Sequence, residues 1–141
     1  MTIDAITERV IDLSIGIHRE LGPGLMESVY ELVLADALEC EGFVVDRQKP
    51  VDIFYSGRRF SAAFRLDLMV NSTVILEIKS VENLSKAHAK QLLTYLRLTN
   101  QPVGLLLNFA GATMKEGIKR IVNNYRPARS ASASPRLRVN Q

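Results

Sequence analysis

The chain holds one cysteine, no tryptophan and two histidines in 141 residues. Each scarcity closes off a kind of chemistry. Cys40 has no partner for an internal disulfide, which points to a reducing cytoplasm. His18, one turn before a Gly22-Pro23-Gly24 corner, has no second His or Cys beside it to make a metal pair and reads as a capping or partly buried residue. Aromatics are only 6% of the chain and no Gly-rich RNA motif is present, so an RNA-stacking platform is not expected. No apolar run approaches the roughly 18 residues needed to cross a bilayer, so no membrane association is expected. Asp4, Glu8, Asp12 and Glu20 fit neither a secretory signal nor a transit peptide.

What is present suits a globular protein. The 47% hydrophobic and 23% charged content and the length predict one domain, over residues 1–125. The net charge of +3 is too small to name a partner. Much of it comes from Arg126, Arg129, Arg136 and Arg138, which no acid accompanies. Residues 126–141 read as a basic, disordered tail.

Periodicity gives the elements. Ile3, Ile6, Val10, Leu13, Ile17 and Leu21 predict a first helix over 2–21, and the Gly-Pro-Gly corner stops it. A second helix is expected over 26–41 with Met26, Val29, Tyr30, Val33, Ala37 and Leu38 buried. Glu27, in its first turn, reads first as a partner of the helix dipole. Short strands are expected at 43–46 and 51–55, then an approach over 58–63 to a further strand. A third helix over 85–99 carries His88, Gln91 and Tyr95 on one stripe, apart from Leu92, Leu93 and Leu96. Val103 to Phe109 reads as a central strand. Residues 114–124 are ambiguous, because Gly117 weakens a helix that Ile118, Ile121 and Val122 would otherwise give an apolar side.

The stretch from Phe64 to Ser80 places Asp67, Glu77 and Lys79 in otherwise apolar strands. A three-residue turn over Asn71–Thr73 pairs Asp67 with Glu77. It also sorts Leu66, Leu68, Val70, Val74, Leu76 and Ile78 onto one face. A one-residue slip would flip each side chain, so the apolar pattern selects this register. Two adjacent carboxylates repel unless one takes a proton or a cation lies between them. A hard cation, Mg2+ or alternatively Mn2+, suits Asp67, Glu77 and a backbone carbonyl, that of Ile78. Lys79 can hold or deprotonate an attacking water, or neutralise a phosphate oxygen. An E-x-K triplet alone is also what a solvated sheet face with a screening lysine would show. The matching Asp67 adds weight to a site.

GPGLMESVYE, followed by RLDLMV, LEIKS and HAKQLLTYL, resembles the GxxExxY protein family of the PD-(D/E)xK nuclease superfamily. Gly24, Glu27 and Tyr30 meet the name-giving pattern, Asp67, Glu77 and Lys79 match the D...ExK site, and Gln91 with Tyr95 matches the QxxxY motif of RecB-like nucleases. Arg65-Leu66, in place of a literal Pro-Asp, precedes the site and leaves its carboxylate intact. The resemblance implies an α/β, restriction-endonuclease-like core, a mixed sheet of about four strands flanked by helices. It further implies acids that bind Mg2+, a lysine that assists water, Glu27 as a site carboxylate, and Gln91 as an orienter. Tyr30, His88 and Tyr95 would support the site. The function expected is a Mg2+-dependent nuclease acting on DNA, as a homodimer. The alternative is a non-catalytic module of the same fold that binds nucleic acid or a partner protein.

Overall fold

The structure, a computed structural model, describes residues 1–126, so the tail expected from 126 onward lies almost wholly outside it. Helix α1 (Ile3–Leu21) starts at Thr2, whose side chain accepts from the Ala5 N–H at 3.1 Å. This cap satisfies one of the free donors at a helix start. Gly22 and Gly24 carry positive φ at the corner that follows. Inside that corner the Tyr30 hydroxyl donates to the Gly22 carbonyl at 2.6 Å and accepts from the Leu25 N–H at 3.1 Å. Tyr30 therefore fixes the angle at which helix α2 (Glu27–Cys40) leaves α1.

The buried face of α2 is turned from the one periodicity predicts. Tyr30, Glu31, Leu34, Ala35 and Leu38 point inward, whereas Met26 is 73% exposed. Leu34 and Ala35 are buried where Val29 and Val33 are expected, and Glu31 lies inward with them, held by Gln48 and Arg47 of the sheet.

Among the described residues the sheet has five strands in the order of the chain: β1 (Val45–Tyr55), β2 (Arg58–Val70), β3 (Val74–Lys79), β4 (Val103–Asn108) and β5 (Ile118–Val122). Only β3 and β4 run parallel, joined by helix α3 (Lys86–Thr99). Two expectations change here. The strands predicted at 43–46 and 51–55 are one strand, since β1 lies at the sheet edge, where Pro50 and its missing donor are tolerated. The ambiguous stretch is a fifth strand after a short 3-10 turn over Lys115–Gly117. A Cβ on Gly117 would come within 2.1 Å of the Asn108 carbonyl oxygen, so this glycine allows the backbone to pass beside β4.

Helices α1 and α2 cover one face of the sheet through Leu68, Val70, Leu76, Ile78, Leu105 and Leu107. Helix α3 covers the other through Leu92 and Leu96 on Met69, Ile75 and Leu106. All six residues of β4 are buried, as a strand covered on both faces requires. Among the described residues no helix is long and apolar enough to cross a membrane.

Candidate active site

Leu68 pairs with Leu76, Met69 with Ile75 and Val70 with Val74, the register that a turn over Asn71–Thr73 demands. Asn71 and Ser72 make that turn with φ of 51° and 55°. The regular pairing then stops. Beyond Leu68 the two strands part, and carboxylates take the place of backbone carbonyls. The Asp67 N–H donates to Glu77 Oε2 at 3.1 Å, and the Ile78 N–H donates to Asp67 Oδ2 at 2.8 Å. Because β2 has withdrawn, Leu66 leaves its expected neighbours and packs under α3 with Met69 and Ile75.

Charge makes this split costly. Glu77 is 5% exposed, and its pKa is pushed up to about 8, first by burial and then by the negative charge of Asp67. Asp67 is raised too, mainly by burial, against the lowering effect of the Ile78 hydrogen bond and the Lys79 charge. The pair therefore needs a proton or a cation. Its donors are oxygens. Amide and carbonyl of one strand residue face the same edge, so the Ile78 carbonyl faces the side from which β2 has parted, beside the Asp67 carboxylate. Among the described residues, no three His, Cys, Asp or Glu side chains gather as a ready-made cage. Two carboxylates and a carbonyl suit a hard divalent ion that keeps several waters.

Helix α2 reaches the split at two points. Glu27 Oε2 accepts from the Ser80 N–H at 3.0 Å, and the Ser80 hydroxyl donates to the Leu25 carbonyl at 3.0 Å. These bonds clasp the corner between α1 and α2 to the end of β3, one residue past Lys79. The charge of Glu27 also acts on Asp67. One turn on, buried Glu31 accepts from Gln48 Nε2 at 2.8 Å and pairs with Arg47 at 3.3 Å, while the same Gln48 amide lies 3.4 Å from Asp67 Oδ1. Sequence reasoning left Glu31 and Gln48 without a role. The four-residue step from Glu27 was the available signal for Glu31. Gln48 faces Asp67 through a pairing of β1 with β2 that no local pattern announces.

The remaining candidates fall in different places. Tyr30 is fully buried and stacks on Phe109 with ring centroids 4.3 Å apart, so it belongs to the core behind the site. His88 is held at the start of α3, where its Nδ1 accepts from the Ser85 N–H at 3.0 Å in a capping box. Tyr95 is half-buried and stacks on Phe64 at 4.3 Å, and its pKa is raised by burial and then by the charges of Glu77 and Asp67. Gln91 lies exposed on α3, one turn before Tyr95.

A profile described as the PD-(D/E)XK nuclease superfamily matches residues 4–121. The chain is also similar to a crystal structure of SSO0001, with 19% sequence identity and a TM-score of 0.44 over 83% of this chain and 77% of that one. No curated protein matches it.

Proposed function

The chain belongs to the PD-(D/E)XK nuclease superfamily, and from that premise we propose that it hydrolyses DNA phosphodiester bonds with Mg2+, which Mn2+ can replace. One observation carries the reading. A buried carboxylate, Glu77, and a half-buried one, Asp67, replace a stretch of sheet pairing, with Lys79 two residues beyond Glu77 on the same strand. Asp67, Glu77 and the Ile78 carbonyl are the residues that would hold the ion. A bound divalent ion supplies Lewis acidity and neutralises charge at the phosphoryl group. Lys79 orients the attacking water and offsets charge on a phosphate oxygen. Glu27 braces the end of β3 through Ser80 and adds a negative charge near Asp67. Gln91 and Tyr95 line the α3 side, and His88 fixes the start of that helix.

Within the superfamily, Gly24, Glu27 and Tyr30 support the GxxExxY family. The proposal also includes one nuclease-like domain over residues 1–125, a cytoplasmic setting and a homodimer of the usual symmetric kind. A Mg2+ titration by isothermal calorimetry tests it. Wild type is expected to bind at up to millimolar ion and Asp67→Asn to bind far more weakly. No binding by wild type would favour the non-catalytic module.

A further inference from the structure

The hairpin of β1 and β2 outgrows the sheet. Among the described residues β2 pairs with β3 only from Leu68 to Val70, so from Arg58 to Leu66 its sole strand neighbour is β1, itself an edge strand. The result is a two-stranded ribbon whose base, at Val51, Phe64 and Leu66, packs on the α3 side of the core, and whose outer part toward Tyr55 and Arg58 extends beyond it. Pairing of Tyr55 with Arg58, Ile53 with Phe60 and Val51 with Phe64 puts these six side chains on one face. Phe54, Asp52, Arg59 and Arg65 take the other.

A free ribbon should shed aromatics, since two strands alone bury little. This one keeps them: Tyr55 is 70% exposed and Phe60 43%. The guanidinium of Arg58 sits 6.0 Å from the centre of the Phe60 ring. Lys49, Arg58, Arg59 and Arg65 are all exposed, against the single acid Asp52, which Arg59 already pairs at 2.9 Å. The aromatic face also leads to the site, because Phe64 at its base stacks on Tyr95 of α3 and stands three residues before Asp67 on β2.

We infer that this ribbon holds the single-stranded part of a nucleic-acid substrate, bases stacking on Phe60 and Tyr55 and phosphates meeting Arg58 and Lys49. The inference rests on the nuclease reading. Unpaired bases offer the flat faces these rings need, and the backbone supplies the charge the cations need. An apolar protein partner would leave those cations desolvated and unpaired. A duplex hides the faces of its bases.

The test is fluorescence anisotropy with a labelled oligothymidylate in EDTA, where no metal-dependent cutting occurs. Tyr55→Ala/Phe60→Ala is expected to weaken binding about tenfold or more. Arg58→Ala should lower the salt slope by about 1. Phe54→Ala, on the opposite face and 72% exposed, should bind like wild type. Wild-type affinity in the double variant, equal loss in Phe54→Ala, or no binding by wild type would each overturn the inference. So would sedimentation showing that the double variant dissociates a dimer while its oligonucleotide affinity is unchanged. A wild type that binds but never cuts with Mg2+ or Mn2+ defeats the hydrolase reading alone. A wild type that cuts, with ribbon variants binding and cutting equally, defeats the ribbon alone.

Discussion

Asp67 and Glu77 are joined through the backbone of one and the carboxylate of the other, the Asp67 N–H donating to Glu77 Oε2 at 3.1 Å where a strand carbonyl would ordinarily accept. Two acids thus occupy a gap that sheet pairing normally fills. Three consequences can be measured without a substrate.

Near neutral pH Glu77 keeps its proton, with its pKa pushed up to about 8 by burial and by Asp67. A cation bound there must displace that proton. Mn2+ binding at pH 7 should therefore release about one proton, seen as an enthalpy that varies with the ionisation heat of the buffer. Affinity should rise about tenfold per pH unit below 8 and level off above. A buffer-independent enthalpy would contradict this.

The same group sets the pH dependence of stability. A carboxyl with a raised folded-state pKa holds its proton after the unfolded chain has lost it, so the folded state binds more protons and stability falls as pH rises. The contribution of Glu77 is complete below its ordinary value of 4.5 and is lost up to about 8. Asp67 and Glu31, both raised chiefly by burial, act with the same sign. Thermal melting in EDTA should show Tm declining across that window, less steeply for Glu77→Gln. Saturating Mg2+ should recover the loss in wild type. An equally steep decline in Glu77→Gln would remove Glu77 as the cause.

Glu31 shares Gln48 with Asp67 and carries a charge that acts on Glu77. Glu31→Gln is expected to weaken Mn2+ binding about 10- to 100-fold, the usual effect of losing an outer partner of a ligand. Calorimetry measures it directly. Unchanged affinity would leave Glu31 as a partner of Arg47 and Gln48 with no part in holding the metal.

Tyr30 ties the corner with two hydrogen bonds, and Tyr30→Phe removes both while keeping the stack on Phe109. Urea unfolding should show a loss of about 1–3 kcal/mol, the cost of leaving buried polar groups unpaired. A smaller loss would mean water replaces the hydroxyl.

Much of this is legible in the sequence, for identifiable reasons. The alternation from Leu66 to Ile78 selects an odd-length turn, because a slip would have put Asp67 and Glu77 on opposite faces and split the leucines between the two. Helix α3 announced itself through Ser85 and the Leu92–Leu96 stripe, and β4 through its unbroken apolar run. The misses share a cause in contacts distant along the chain. Glu31, four residues after Glu27, has no visible role until β1 brings Arg47 and Gln48 over it. β5 looks like a weak helix until Gly117 is seen passing 2.1 Å, in Cβ terms, from the Asn108 carbonyl. Leu66 follows the alternation in sequence but leaves it in space, since the strand it belongs to separates one residue later. The family resemblance supplied a role for Gln91 that its exposed position on α3 leaves for mutation to decide.

The most direct test is incubation with labelled single- and double-stranded DNA in Mg2+, Mn2+ or EDTA, comparing wild type with Asp67→Asn, Glu77→Gln and Lys79→Ala. Wild type should cut only with metal, and neither acid variant should cut. Lys79→Ala should bind metal normally and lose about 100- to 10,000-fold in rate, the scale of an acid-base group. Equal cleavage by wild type and either acid variant would contradict the site at Asp67 and Glu77.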